Sequence, residues 1–395
     1  MRRPVEASQA YGITGSTGAC ALGATREQLL SGLYAGQSGL TPSEFAAPLP
    51  CVLGAVPGPL PALPSRLKDY DTRLARLAVL LSEPLQPQLS AAIRRYGASR
   101  VGVVVASSTG GLAESEHALG ALRRAGALPD AYRFERSHAF YALVEVLRAL
   151  TGARGPGYAV STACSSGNKV FGSAQRLLAA GVVDALLVGG IDTLCQITVR
   201  GFHSLGILSA RACRPFAYGR DGTSIGEGGA LFVIERGREA PVALCGVGEC
   251  SDAHHMTQPA PDGSGAAAAM RSAIEDAGLD PSQIDHVNAH GTGTPQNDVA
   301  EARAISTVFG NLVPVVSTKG ATGHMLGAAA AIEALFSIAA IERGQLPASL
   351  GCDPRDPEIE LALSAEPRAR RCRYVLSNAL AFGGSNASVI FGASA

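Results

Sequence analysis

Cys164 stands in the run Val160-Ser161-Thr162-Ala163-Cys164-Ser165-Ser166-Gly167, where an apolar segment gives way to small residues and then to a helical stretch from Lys169. A cysteine at such a strand-to-helix turn faces the positive end of the helix dipole, which predicts a lowered thiol pKa. Amides of the first helical turn can hold an oxyanion beside it. Two histidines in glycine-rich loops are candidate partners. His290, in Asn288-Ala289-His290-Gly291-Thr292-Gly293-Thr294-Pro295, directly follows a strand-like run over 284–287. Loops at strand ends are where active side chains of α/β proteins collect. His324 closes Lys319-Gly320-Ala321-Thr322-Gly323-His324, ahead of a long apolar stretch. Only three of the 33 basic residues are lysines (Lys68, Lys169 and Lys319), so a lysine in this loop of an arginine-using chain calls for a reason. His254 and His255 read as structural. A thiol, two imidazoles and a lysine suit acyl transfer through a covalent thioester. No metal is expected, because the histidines and cysteines lack ligand spacing, and no glycine run has the nucleotide-binding form.

Short β-branched runs over 100–106, 185–188, 230–234, 242–247, 313–317 and 388–391 read as buried strands. Ala/Leu-rich stretches over 25–35, 73–95, 169–180, 265–277, 298–309 and 323–343 read as helices between them. That alternation indicates an α/β protein. The segment 236–240 looks like a joint, dividing the chain into 1–240 with the cysteine and 241–395 with both histidines. A weak echo supports two halves: Ser161-Thr162-Ala163-Cys164 and Ser317-Thr318-Lys319-Gly320 each enter a Gly/Ala-rich helix.

The totals limit the function classes. The chain has 395 residues, 47% of them hydrophobic, which is ample for a buried core and disfavours disorder. Its 33 basic and 33 acidic residues balance, so no global basic excess points to nucleic acid. Residues 1–6 lack an apolar run of the secretory kind, and the nine cysteines contain no C-x-x-C pair. Together these predict a reduced cytoplasmic protein with free thiols. The apolar stretch 323–341 carries His324 and Glu333 and reads as a buried helix rather than a membrane span.

In order and spacing, the segments 161–167, 214–229, 288–295, 317–333 and 377–388 resemble the β-ketoacyl-acyl-carrier-protein synthases of the thiolase fold. The likeness runs from about residue 11 to 392. It implies a duplicated βαβαβ core in five layers, α-β-α-β-α, and a dimer. By that resemblance, Cys164 is the nucleophile that takes an acyl chain from the phosphopantetheine of an acyl carrier protein. His290 and His324 hold the malonyl thioester and its enolate, Lys319 keeps them arranged, and Glu333 supports them. Thr292 and Thr294 bind the pantetheine amides, Phe382 gates the site, and Gly383 and Phe202 are further substrate-binding positions. No cofactor is implied beyond the carrier's own arm. In parts of the family a monovalent cation binds near the positions of Asn288, Glu333, Ser377 and Asn378.

Three positions depart from the family pattern. Ala381 precedes the gate phenylalanine where glycine is usual, implying a stiffer loop. Thr109, in Ser107-Ser108-Thr109-Gly110-Gly111, stands where an apolar residue often lines the acyl pocket, which favours a specialised substrate. Gly206 replaces a carrier-contacting arginine, leaving Arg66, Lys68, Arg123 and Arg124 as substitute docking residues. The implied activity is decarboxylative Claisen condensation with malonyl carrier protein, giving a 3-oxoacyl product for fatty acid or polyene/polyketide synthesis. The enzyme would be a homodimer or pair with a similar ketosynthase-like subunit. Two rivals remain: a non-catalytic chain-length-determining partner subunit, and a Cys-His hydrolase.

Overall fold

Ten strands of the computed structural model, which describes residues 11–394, fall into two sets of five with one repeated order. Residues 1–6 lie outside the described residues. The first set is β1 (Tyr11–Ala19), β2 (Val101–Ala106), β3 (Gly157–Val160), β4 (Ala185–Asp192) and β5 (Gly228–Arg236). The second is β6 (Val242–Ser251), β7 (His286–Asn288), β8 (Val315–Val316), β9 (Tyr374–Ala381) and β10 (Ser385–Ala393). In space they run β3-β2-β4-β5-β1 and β8-β7-β9-β10-β6. In each set the second strand pairs in parallel with the third and fourth, and the other two pairings are antiparallel. A short antiparallel contact of Tyr11 and Gly12 with Leu244 and Ala243 joins the sets edge to edge.

The helices that matter are α1 (Arg73–Ser82), α2 (Leu112–Ala125), α3 (Phe140–Thr151), α4 (Ser166–Ala179), α5 (Gln196–Ser204), α6 (Ser264–Asp276), α7 (Pro295–Phe309) and α8 (Ala329–Arg343). Strand β2 shows how they layer, since all six of its residues are buried. Val101, Val103 and Val105 meet Leu77 and Leu81 of α1 and Leu143 and Leu147 of α3 on one face. Val104 and Ala106 face α4 and α8 on the other. Helices α6 and α7 cover the outer face of the second set. Helices α4 and α8 form the middle layer, where Phe171 lies 5.3 Å from Phe232 of β5 and 5.3 Å from Phe391 of β10. One ring therefore bridges both sheets. The result is a duplicated core in five layers.

Some elements differ from the sequence-based expectation. The helix expected over 73–95 is two helices, Arg73–Ser82 and Gln86–Tyr96, because Pro84 and Pro87 interrupt the hydrogen-bond ladder. The helix expected from 323 begins at Ala329, after left-handed residues at Gly323 (φ 72°) and Leu326 (φ 50°). Strand β1 was not expected because it is rich in Gly, Ser and Thr. Its glycines answer to packing, since a Cβ on Gly18 would lie 2.5 Å from Leu335. Among the described residues, no helix is long and apolar enough to cross a membrane.

Candidate active site

The duplication places the reactive residues. The third strand of the first set, β3, runs into the turn that carries Cys164 and then into α4; its counterpart β8 runs into the turn that carries Lys319 and His324. Strand β7, beside β8, ends at the His290 loop. At the cysteine turn, Ala163 sits at φ 51°, a left-handed conformation that costs a side-chain-bearing residue ~1–2 kcal/mol. Its carbonyl accepts hydrogen bonds from the hydroxyls of Ser166 (2.6 Å) and Ser108 (3.1 Å). The Thr162 N–H donates to the Ser166 hydroxyl at 2.8 Å. The small residues of the elbow thus hold a strained backbone that presents the thiol.

His324 Nε2 lies 3.0 Å from Cys164 Sγ. The His290 and His324 rings stand edge to face, centroids 5.2 Å apart. Lys319 Nζ, fully buried, donates to His290 Nδ1 at 3.3 Å, to the His290 carbonyl and to the Glu333 carboxylate. An ammonium can only donate, so His290 Nδ1 accepts and the proton of the neutral ring sits on Nε2. Burial and the Lys319 charge hold both imidazoles well below their usual pKa, so both are neutral at pH 7. The cysteine differs from expectation. Burial pushes its thiol up to about 12, outweighing the pull of Lys319. The nucleophile therefore rests as a thiol beside an imidazole that can take its proton.

Sγ and one nitrogen of each ring lie within 4.8 Å of one another, close enough in distance for a metal. The tautomer opposes that use, because His290 offers a proton where a metal needs a lone pair. The cation set also fits poorly. Glu333 Oε2 is a buried acceptor without a partner, but the Asn378 amide is spent on Ser388 and Glu301, and Ser377 Oγ accepts from Asn288. No step is assigned to a cation.

Burial raises Glu333 to about 7 against the opposing pull of Lys319. Below that pH the carboxylate takes a proton and the ion pair with Lys319 is lost. Condensation should therefore fall as pH drops through about 7, with a limb that is reduced in Glu333→Gln, where Glu301, raised to about 7 as well, remains as a buried carboxylate that titrates there. A pH–rate profile of both proteins checks this, and an unchanged limb in the variant would assign it to another group.

Thr292, Thr294, Phe202 and Phe382 line one pocket with Cys164 and both histidines. The two threonine hydroxyls are 2.9 Å apart, and the Phe202 and Phe382 rings stack at 5.9 Å. Gly383 takes φ 80° in the turn after the gate residue. Ala381 is extended at φ −130°, so this conformation needs no glycine there. Thr109 is not among the residues that line this pocket, and its buried hydroxyl donates to Asp192 at 2.8 Å. Its hydroxyl is thus satisfied within the protein. Arg66, Lys68, Arg123 and Arg124 lie outside the pocket on the surface; Arg66 donates to the Ala149 carbonyl at 3.0 Å. His254 and His255 are exposed.

Three buried carboxylates escaped sequence reasoning. Glu301 accepts the N–H groups of His290 and Gly291, each at 2.7 Å. Asp298 accepts those of Phe216 (2.8 Å) and Gly293 (3.1 Å) and pairs with Arg220. Asp192 lies at the end of β4. The i, i+3 spacing of Asp298 and Glu301 on a helix was the one available signal, since it puts both on one face.

A thiol and two neutral imidazoles at the strand ends of a duplicated sheet define a thiolase-fold condensing centre. The β-ketoacyl synthase N-terminal domain model matches residues 85–240, and the C-terminal domain model matches 242–353. The chain is 42% identical over 262 residues to a mitochondrial 3-oxoacyl-[acyl-carrier-protein] synthase of Arabidopsis thaliana, a match covering 61% of this chain and 57% of that protein. It is 38% identical over 257 residues to 3-oxoacyl-[acyl-carrier-protein] synthase 2 of Staphylococcus aureus, covering 61% and 64%. The matched stretch thus spans less than two thirds of these curated relatives. Among solved structures, a complex of the ketosynthase ApeO with its chain length factor ApeC from Xenorhabdus doucetiae aligns over 98% of both chains, with TM-score 0.93 and 36% identity. A β-ketoacyl synthase from Burkholderia phymatum aligns over 98% of this chain and 100% of its own, with TM-score 0.90 and 31% identity. The chain belongs to the β-ketoacyl synthase family.

Proposed function

We propose that this protein is a condensing β-ketoacyl-acyl-carrier-protein synthase, carried above all by the 3.0 Å approach of His324 Nε2 to Cys164 Sγ between two neutral imidazoles. In the first half-reaction, sulfur of Cys164 attacks the thioester carbonyl of an acyl carrier. The thiol proton passes to His324 and then to the departing pantetheine sulfur. Backbone N–H groups of Cys164 and Phe382 would hold the oxyanion. In the second, the malonyl C–C bond breaks and carbon dioxide leaves. The electron pair becomes an enolate whose oxygen accepts from His290 Nε2–H and, once the proton of its neutral ring has moved to Nε2, from His324. The enolate carbon attacks the acyl carbonyl, and collapse expels the Cys164 sulfur as a thiolate, which takes up a proton from solvent by way of the pocket. These steps need no cofactor. Intact-mass detection of an acyl adduct on Cys164, followed by 3-oxoacyl product on adding malonyl carrier, tests the reading.

The non-catalytic reading is disfavoured by a complete and mutually bonded Cys164, His290, His324 and Lys319. The partner subunit is a second reading with its own support. Among the described residues, edge strand β3 has one side unpaired, and Tyr158 on it, Leu119 and Leu122 on α2, Phe134 and Tyr141 are all exposed apolar residues. We assign this face to a second thiolase-fold subunit, identical or similar. Tyr158→Asp should shift native mass from two subunits to one; an unshifted mass would move the interface elsewhere. Lys68, Arg123 and Arg124 are the basic candidates for carrier docking, read out as a raised KM on charge reversal. The nine unpaired cysteines support a reducing, cytoplasmic setting.

A further inference from the structure

Cys164 and His324 are 160 residues apart in sequence and meet at 3.0 Å. Each sits beside a strained backbone. Ala163 (φ 51°) immediately precedes the thiol, and Leu326 (φ 50°) follows His324 by two residues. Such residues persist only when their surroundings hold them. The fully buried carboxylate of Asp192 contacts the segments that do so. Its Oδ1 accepts the Ser107 hydroxyl (2.7 Å), the Thr109 hydroxyl (2.8 Å), and the N–H groups of Ser108 and Thr109 (both 2.9 Å). Its Oδ2 accepts the N–H of Ala328 at 3.0 Å, in the turn just after His324 and Leu326. The Ser108 hydroxyl in turn donates to the Ala163 carbonyl at 3.1 Å. Fit at this junction is close, because a Cβ on Gly327 would lie 2.6 Å from Ser108 Oγ and 3.0 Å from Asp192 Oδ2.

We infer that Asp192 is a positioning residue that sets the distance between Cys164 and His324 by tying the nucleophile elbow, through Ser108, to the turn that follows His324. It touches neither substrate nor the reacting atoms. A carboxylate can accept all these donors, whereas an amide turns two hydrogens toward groups that themselves donate. The inference rests on the acyl-transfer role proposed for Cys164.

Asp192→Asn should lower kcat of acyl transfer by about 10²-fold, the scale of a 1 Å misplacement, and leave KM for the acyl carrier within about twofold. Ser108→Ala keeps the carboxylate and deletes only the link to Ala163, so it covers the case in which Asp192→Asn does not fold. It should lower kcat about tenfold, and slow alkylation of Cys164 by iodoacetamide about fivefold as His324 loses its placement. Wild-type kcat in Ser108→Ala or in folded Asp192→Asn, or a loss confined to KM, would overturn the inference. Alkylation needs no acyl substrate. A wild-type protein that takes no acyl group, with alkylation still slowed in Ser108→Ala, would therefore overturn the proposed reaction and leave the positioning role standing.

Discussion

Cys164→Ala yields a folded protein that takes no acyl label from acyl carrier and condenses at least about 10⁴-fold more slowly than wild type. The size of the loss follows from the site. Among the described residues, Cys164 is the one cysteine in contact with an imidazole that can accept its proton, and it opens onto the pocket. The alternatives are poor nucleophiles. Cys20 and Cys213 are buried away from the pocket lining, and the Cys213 Sγ is spent on the Lys319 carbonyl. Cys164→Gln separates the half-reactions. Its amide fills the place of the acylated sulfur, so decarboxylation of malonyl carrier survives while acylation is lost. Intact-mass spectrometry after incubation with a labelled acyl carrier reads the first result, and carbon dioxide release reads the second. Label on any other cysteine of Cys164→Ala would remove Cys164 from its role.

What the sequence showed and what it hid have separate physical origins. Cys164, His290, His324 and Lys319 were legible because each sits in a short run of glycine, serine and threonine between an apolar strand and a helix, a local pattern that needs no tertiary knowledge. The duplication was legible only as an echo of a few residues, because β1 and β9 are not uniformly apolar and the strand order that proves it is long-range. Asp192 was hidden because a single acid at the end of the apolar strand Ala185–Asp192 looks like a strand terminus; its value lies in donors 83–85 and 136 residues away in the chain. The thiol pKa was expected to fall because the helix dipole is visible in sequence and burial depth is not. Thr109 followed the same logic: its position after a strand was readable, but its carboxylate partner 83 residues on was not.

The histidines should not be equivalent, and their difference tests the mechanism more sharply than the loss of either. His324 Nε2 contacts the sulfur, whereas His290 contacts Lys319 and offers its Nε2 proton toward the pocket. His290→Ala removes one donor to the enolate oxygen and should lower condensation ~10²–10³-fold, leaving acylation of Cys164 close to wild type. His324→Ala removes the acceptor of the thiol proton and, in the tautomer with its proton on Nε2, a second donor to the enolate, so both half-reactions slow. The His290→Ala deficit should also be flat across neutral pH. Both rings are held well below their usual pKa, so neither changes charge there, and the wild-type limb near about 7 belongs to the buried carboxylates Glu333 and Glu301. Single-turnover acylation and steady-state condensation, each measured across pH for both variants, decide the matter. Near wild-type condensation by His290→Ala would end the enolate role, and wild-type acylation by His324→Ala would show that its approach to the sulfur does not carry the proton.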